Sequence, residues 1–152
     1  MLYELTVDYD YQKTWDEYVK AKDVLQVVDE NSIIYHVCKY PSPLSDRDYL
    51  YNVKTKEYDG EYFVYARDVP QTSRFQMPEK KGLVRAGRGQ FWGMSYIKAT
   101  GPRSSAFVYV CQDDPAGNIP KWVINVAAKK GVPAWMKKYK KAADKLIADR
   151  GF

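Results

Sequence analysis

The segment SIIYHVCKYPSPLSDRDYLYNVKTKEYDGEYFVYARDV, residues 32–69, decides which fold this sequence predicts. Its runs of β-branched and aromatic residues alternate with turn-forming residues, which is typical of short strands. The stretch YDGEY at 58–62 predicts a tight hairpin, because Asp-Gly suits a turn that needs positive φ. Runs of the same kind continue from Asp23 to about Gln112, so the sequence predicts an antiparallel meander.

The C-terminal segment predicts a long amphipathic helix. Pro120 suits the first turn of a helix, whereas Gly131 and Pro133 are expected to kink or break it. Beyond that point one face carries apolar residues at helical spacing: Val132, Trp135, Tyr139, Ala142, Ala143 and Leu146. The opposite face carries lysines: Lys130, Lys137, Lys138, Lys141 and Lys145. The predicted fold class is therefore α+β, with a curved antiparallel sheet of about six strands packed on a long C-terminal α-helix.

Residues 1–19 mix apolar and acidic positions at near-helical spacing, which predicts two short helices before the sheet. Asp10 is a candidate N-cap for the second helix. The positions expected to point inward are Leu2, Leu5, Tyr9 and Trp15.

Length and composition favour a single soluble domain over residues 1–152, with 45% hydrophobic and 28% charged residues. The sequence contains no apolar run of the roughly eighteen residues that a membrane-spanning helix needs. The N-terminus turns acidic at once and does not resemble a signal peptide, so we expect a cytoplasmic protein. Cys38 and Cys111 are far apart and lack metal-type spacing, so two reduced thiols are expected.

The positive net charge of +5 is unevenly distributed along the chain. The segment from Pro120 to Arg150 holds nine Lys or Arg residues and two acidic residues, Asp144 and Asp149. An anionic partner should therefore meet the C-terminal helix. Nucleic acid is not the expected partner, because no RNA-binding signature is present and the basic residues do not interleave with exposed rings.

Catalytic chemistry finds little support in this sequence. His36 is the only histidine, and no zinc-binding motif occurs. Cys38 would share a strand face with His36, but two neighbours on one strand lack the third group that orients a catalytic base. The carboxylates that flank Arg47 favour a structural ion pair over acid–base work. We therefore predict no enzyme activity, no cofactor and no metal.

Four motifs in order carry a resemblance to a known family: WDEYV at 15–19, YPSPLSDRDYLY at 40–51, KKGLVRA at 80–86, and DDPAGNIPKWVINVAAKKGVPAWM at 113–136. They resemble successive signatures of the START (StAR-related lipid-transfer) family, and within it the phosphatidylcholine transfer protein branch. The resemblance covers essentially the whole chain. It implies a helix-grip fold, in which an antiparallel sheet wraps around a long C-terminal helix and a lipid occupies the tunnel between them.

The resemblance also implies that the family's first helix and first three strands precede the point where this chain starts. In the family those strands form one side of the sheet, so the remaining six strands are expected to form an intact meander. Their loss would leave an uncovered sheet edge and a tunnel that is open along one side. A second copy of the chain could close that side, which makes a homodimer an expected alternative state.

The residues that contact the lipid headgroup in the family can be compared with this sequence only position by position. In phosphatidylcholine-binding relatives, an arginine before the motif tryptophan holds the lipid phosphate and pairs with an aspartate after it. In this sequence the aspartate is Asp16, whereas Gln12 stands at the arginine's place. Of the family's aromatic cage for choline, Tyr49 is present, and other positions fall on His36, Gly89 and Cys111. Because a neutral amide cannot give the charge-assisted contact of an arginine, specificity for phosphatidylcholine is not carried over.

Strand alternation puts Ile34, His36 and Cys38 on one face, which the resemblance turns toward the lipid. In that setting His36 would be a polar anchor for a ligand hydroxyl, carbonyl or phosphate, with a solvent-facing or internally satisfied histidine as the alternative. The predicted lipid-binding residues are Gln12, Asp16, His36, Cys38, Tyr49, Tyr51, Tyr109 and Cys111.

The lysine face predicts transient docking on an anionic membrane surface, and an ordinary solvated surface is the alternative. The predicted docking residues are Ile119, Trp135, Lys137, Lys138, Lys141 and Lys145. The function that the resemblance implies is the binding of one phospholipid-like or sterol-like lipid, carried or sensed at membranes by a peripheral cytoplasmic protein. A lipid-free regulatory or interaction module, dimeric through the exposed edge, is the alternative.

Overall fold

The computed structural model describes residues 2–70, 80–87, 89–102 and 104–151. The stretch DVPQTSRFQMPEKKG at 68–82, whose composition predicts a long loop, lies mostly outside the described residues. The described elements, in chain order, are α1 (Leu2–Val7), α2 (Tyr9–Trp15), β1 (Val19–Val28), β2 (Asn31–Cys38), β3 (Asp46–Tyr58), β4 (Glu61–Asp68), β5 (Leu83–Arg85), β6 (Trp92–Gly101), β7 (Ser104–Gln112), α3 (Lys121–Val126), a π-helical turn (Ala127–Gly131) and α4 (Val132–Arg150).

Six strands form an antiparallel sheet in the order β1-β2-β3-β4-β6-β7. Asp59 and Gly60 join β3 to β4 with φ of 49° and 72°, which confirms the predicted Asp-Gly hairpin. Strand β5 departs from the predicted meander, because it pairs in parallel with β3. β4 pairs with β3 only from Tyr51 onward, so the first residues of β3 have an open edge that β5 occupies.

Both faces of the sheet are covered at its centre. One face, called the helix-side face from here on, carries the buried residues Ile34, Tyr49, Tyr51, Val53 and Val64. Residues of α1 and α2 pack against it, and Tyr3 stacks on Tyr62 at 4.8 Å between ring centroids. The outer face carries a second cluster of buried residues: Ile33, Tyr35, Val37 and Leu50. Strand β2 therefore buries side chains on both faces of the sheet, which explains why its sequence is almost continuously hydrophobic.

The two short N-terminal helices are present as the sequence predicts. The N-cap of α2 is Asp8 and not the predicted Asp10, because the Asp8 carboxylate accepts a hydrogen bond from Tyr11 N at 2.9 Å. Asp10 lies two residues further along, in the first turn of α2, and pairs with Lys13 at 2.7 Å. Of the four predicted inward positions, Leu5 is fully buried and the other three are partly buried.

The C-terminal segment remains helical through residues 121–150. The predicted break at Gly131 and Pro133 does not occur, because the π-helical turn Ala127–Gly131 lies just ahead of Pro133. A proline cannot donate to the preceding turn, and a wider turn relieves the clash with its ring. On α4 the predicted apolar face is confirmed for four positions that pack around Leu5: Tyr139, Ala142, Ala143 and Leu146.

Asp46, Arg47 and Asp48 do not form the ion pair predicted among themselves. Arg47 instead donates to the backbone carbonyls of Pro115, at 3.1 Å, and of Ser45. This arrangement ties the loop before α3 to the end of the sheet. The two carboxylates are two residues apart, so alternation places them on the same face of β3, and each finds its cation elsewhere: Asp46 pairs with Lys20 and Asp48 with Arg85.

None of the helices in the described ranges combines the length and hydropathy needed to cross a membrane. Within the same ranges, no three His, Cys, Asp or Glu side chains come together as a metal-binding group.

Candidate lipid-binding site

The predicted lipid-facing residues of β2 and β3 come together on the helix-side face. In the register of these strands Ile34 lies opposite Tyr51 and His36 lies opposite Tyr49. The His36 ring is 6.2 Å from each tyrosine ring, measured between centroids. Phe91 adds a further ring at 5.3 Å from Tyr51 and 5.7 Å from Tyr49. The sequence therefore builds an aromatic wall around one imidazole.

His36 is a neutral group in this wall. Its Nε2 lies 3.6 Å from Cys38 Sγ, and a thiol is a weak hydrogen-bonding partner. Burial lowers the pKa of His36 to about 3, and the nearby Lys22 ammonium acts in the same direction. Burial raises the pKa of the Cys38 thiol to about 12, so this cysteine is a protonated, unreactive group. Of the alternatives for His36, a solvent-facing position is excluded.

Tyr49 forms one polar end of the wall. Its hydroxyl donates to Asp113 Oδ2 at 2.9 Å and lies 3.4 Å from the Tyr40 hydroxyl. Burial raises the pKa of Tyr49 above its ordinary value, which keeps the phenol protonated. The loop before α3 supplies Asp113, and Arg47 holds that loop in place. This end of the site combines rings with one carboxylate.

Gln12, Asp16 and Lys22 form the other polar end, called the amide corner from here on. The Lys22 ammonium donates to Gln12 Oε1 at 2.8 Å. Asp16 is buried and accepts hydrogen bonds from Trp135 Nε1 at 2.9 Å and from Tyr18 N at 3.1 Å. Gln12 Nε2 reaches the same carboxylate at 3.5 Å. Gln12 and Asp16 thus lie within reach of each other, and α4 and β1 contribute further groups to this corner.

Tyr109 and Cys111 lie on β7, opposite Ser95 and Gly93. Both share the parity of Phe107, which stacks on Tyr139 of α4 at 5.0 Å, so they belong to the helix-side face. They are more open than the residues of β2 and β3, since Tyr109 is 51% exposed. A side chain at Gly93 would begin 3.1 Å from the Tyr109 hydroxyl, so glycine leaves room for that phenol.

The predicted docking residues fall into two groups. Lys137 and Lys141 are exposed, whereas Lys138 and Lys145 pair with Glu17 and Asp149. Ile119 is partly exposed in the loop before α3.

Trp135 does not lie on the lysine face. Its ring packs 5.9 Å from Trp15 and 5.1 Å from Tyr139, and its N–H reaches Asp16, because the helix turns this position inward. The exposed tryptophan of this region is Trp122 in α3, which is 68% exposed.

Sequence reasoning missed Lys22, Tyr40 and Asp113 as members of the site. Strand alternation includes Lys22, but the strand region was predicted to begin at Asp23, whereas β1 begins at Val19. With the earlier start, alternation would have set Lys22 opposite His36. Asp113 and Tyr40 lie in loops, where the sequence offers no periodicity from which to predict direction.

Comparisons with known proteins identify the family of this chain. A family model of the START domain matches residues 1–148. Mouse phosphatidylcholine transfer protein is 38% identical over 146 residues, which cover 93% of this chain and 65% of that protein. Human START domain-containing protein 10 is 32% identical over 142 residues, covering 93% of this chain and 47% of that protein. The chain thus spans less than two thirds of the length of these relatives.

Solved structures agree. The crystal structure of human STARD10 matches with a TM-score of 0.82 and 31% identity, over 95% of this chain and 57% of that chain. Human StAR-related lipid transfer protein 5 matches with a TM-score of 0.76 and 18% identity, over 96% of this chain and 71% of that chain, a likeness of fold alone. The predicted helix-grip architecture and the resemblance drawn from the four motifs are both confirmed. The chain belongs to the START domain family.

Proposed function

We propose that this domain binds one lipid, phospholipid-like or sterol-like, against the helix-side face of its sheet and carries or senses it at membranes. The proposal involves no catalysis and no cofactor. The observation that carries it is the aromatic wall formed by Tyr49, Tyr51 and Phe91, which encloses the neutral polar group of His36. Apolar walls with a few placed polar groups are the usual construction of a small-molecule site. Similarity to proteins named for phosphatidylcholine transfer supports a lipid as the ligand.

The remaining polar groups of the proposed site lie at the two ends of this wall. Gln12 and Asp16 form one end, and the Tyr49 hydroxyl with Asp113 forms the other. Tyr109 and Cys111 extend the lipid-facing surface along β7, where the acyl or ring portion of a lipid would contact exposed apolar atoms. A mainly apolar ligand whose polar atoms reach one of these two ends fits this distribution of groups.

The first experiment is native mass spectrometry of the purified chain, followed by organic extraction and lipid identification. We expect a one-to-one adduct that releases a defined lipid class. Bare protein after exposure to mixed-lipid vesicles would contradict the proposal.

Tyr49→Leu is expected to reduce uptake of chain-labelled lipid from vesicles about tenfold, the equivalent of roughly 1.4 kcal/mol. The substitution removes the hydroxyl that donates to Asp113 and the ring beside His36. The matched control is Tyr58→Leu at the far end of the same strand, where the side chain is 77% exposed. Equal uptake by the two variants would refute the assignment of Tyr49 to the site.

We further propose that the exposed lysines of α4 and the exposed apolar residues of α3 dock the domain transiently on anionic membranes, as expected for a peripheral cytoplasmic protein. Trp122 and Ile124 are exposed on α3, next to Lys121, and Ile119 lies just before this helix. Apolar side chains combined with lysines favour the interface of an anionic bilayer. Lys138 and Lys145 can contribute only if they leave their carboxylate partners.

Reversing Lys137 and Lys141 to Glu is expected to weaken binding to phosphatidylserine vesicles at least about thirtyfold, since each lysine contributes ~1 kcal/mol at such a surface. Cosedimentation with vesicles measures the effect. The control variant reverses Lys54 and Lys56, which are exposed lysines at the far end of β3. An equal loss in the control would show a net-charge effect with no docking face.

A second candidate function, an interaction module that pairs with a second copy of the chain, is favoured by one observation. Strand β7 is an edge of the sheet and has apolar side chains exposed on both faces, including Val108 and Tyr109. An exposed apolar edge can pair with another strand. Sedimentation of lipid-free protein as a dimer would support this candidate, and a lipid-loaded monomer would exclude it.

A further inference from the structure

Lys22 is a partly buried lysine on the helix-side face, and the groups it contacts directly are neutral. It lies opposite His36 in the register of β1 and β2, and directly opposed residues of an antiparallel pair project to the same face. Its ammonium lies 2.8 Å from Gln12 Oε1 and 4.6 Å from the centroid of the Tyr9 ring. Both contacts are to neutral groups, and the side chain is partly buried beneath α2.

The lysine lacks a carboxylate in direct contact among the described residues. Other lysines nearby do have one: Lys13 contacts Asp10 at 2.7 Å, and Lys20 contacts Asp46. Asp16 attracts Lys22 through space, but the oxygens of Asp16 already accept three other donors. A cation held against an amide oxygen and a ring, and not against an anion, keeps donors available for an anionic ligand.

Apart from the Asp16 carboxylate, the described groups around Lys22 are neutral, and its direct contacts within the described ranges include no second cation. Burial lowers the pKa of Lys22 to about 8, so the ammonium form still dominates at neutral pH. His36 is uncharged and can donate one N–H, and the Cys38 thiol is protonated. One positive charge with neutral donors around it suits a singly charged phosphodiester, which offers several acceptor oxygens for one negative charge.

We propose that Lys22 binds the phosphate of a phospholipid headgroup at the amide corner and thereby selects phospholipids over uncharged lipids. The inference rests on the proposed function and narrows its ligand class. Gln12 positions the ammonium through its side-chain oxygen, and the apolar chains extend along the wall toward Tyr51 and Tyr109.

The test compares two chain-labelled lipids with identical acyl chains, phosphatidylglycerol and diacylglycerol, so that only the phosphate-bearing headgroup differs. Lys22→Met is expected to reduce phosphatidylglycerol uptake about tenfold and leave diacylglycerol uptake unchanged. Lys22→Arg should retain most phospholipid uptake, because it keeps the charge. The control is Lys20→Met, which removes an exposed lysine of the same strand.

Three outcomes separate the inference from the proposed function. Uptake of phosphatidylglycerol by Lys22→Met at the normal level overturns the inference and leaves the proposed function standing. Equal loss of both lipids also overturns it, because Lys22 would then act on the site as a whole. Failure of the unmodified chain to take up either lipid contradicts the proposed function itself.

A free phosphate is distinguished from a headgroup by adding inorganic phosphate alone. If inorganic phosphate raised the stability of the lipid-free chain against unfolding but not that of Lys22→Met, that result would assign the amide corner to free phosphate and overturn the headgroup assignment. Absence of that effect, with tenfold selectivity for the phospholipid, supports it.

The pH dependence gives an independent readout. The charged form of Lys22, whose pKa is about 8, binds phosphate, so phosphatidylglycerol uptake should be nearly full at about pH 7 and fall about tenfold by about pH 9.5. The pKa of His36 is about 3 and those of Tyr9 and Cys38 are about 12, so these facing groups do not titrate in this range; Asp16, hydrogen-bonded to Trp135, is the acidic group that faces the corner. A pH-independent uptake, or the same decline in Lys22→Met, would overturn the inference.

Discussion

Asp48→Asn is expected to lower the free energy of unfolding by about 3 kcal/mol, which is typical of breaking a buried ion pair from one side. Asp48 is 1% exposed and faces the Arg85 guanidinium at 2.8 Å and 3.0 Å. It also accepts a hydrogen bond from the Tyr35 hydroxyl at 3.3 Å. The asparagine keeps the size of the side chain but removes the negative charge, so the arginine faces a neutral amide in a place shielded from water.

Urea denaturation measures the change, with Glu17→Gln as the control. Glu17 pairs with Lys138 on the surface, where an ion pair contributes about 1 kcal/mol or less. If the free energy of unfolding fell by similar amounts in the two variants, burial would not make the Asp48–Arg85 pair more stabilising than a surface pair. A larger loss at Asp48 would support its role in holding β5 against the edge of β3, where Asp48 lies opposite Arg85.

Leu146→Ala is expected to cost a further large share of stability, about 3 kcal/mol, because it leaves a cavity between α4 and α1. Leu146 is 1% exposed and packs with Leu5, Tyr139 and Ala143. The buried contacts between α4 and α1 centre on Leu5, so the loss should be concentrated there. Hydrogen exchange should speed up in α1 more than in the β3 and β4 hairpin.

The control for this variant is Leu25→Ala on β1, where the leucine is exposed. That substitution should change the free energy of unfolding by less than about 0.5 kcal/mol. If both leucines gave the same result, α4 would not be held by the cluster around Leu5. Thermal unfolding of lipid-free and lipid-loaded protein would also show whether bound lipid compensates for the cavity, as mass action requires of any ligand specific for the folded state.

The sequence predicted those parts of the fold that follow from periodicity. Alternation alone set Ile34, His36 and Cys38 on one face, and the spacing of Tyr139 and Leu146 gave the inner face of α4. The Asp-Gly turn fixed the hairpin between β3 and β4. These features depend on local backbone geometry, which the identity of neighbouring residues controls directly.

Other features depended on contacts between distant segments and could not be read from the pattern. The parallel pairing of β5 follows from the unequal lengths of β3 and β4, and the contacts of Arg47 follow from the path of a loop. Lys22 was missed because the strand region was predicted to begin at Asp23, one residue after it, whereas β1 begins at Val19. The inward position of Trp135 followed from its helical spacing, but its hydrogen bond to the buried Asp16, 119 residues away in sequence, did not. The assignment of lipid-facing residues stays a prediction until uptake is measured.

The π-helical turn Ala127–Gly131 changes the phase of the whole C-terminal segment. One additional residue in a helical turn rotates everything on its far side by about 100° around the helix axis. No residue of α3 is buried, and Trp122 and Val126 are exposed, whereas Tyr139 and Leu146 on α4 are buried. The two halves of one continuous helix therefore have different surroundings, and the direction in which α3 presents its apolar side chains is set by the one additional residue of the π-helical turn.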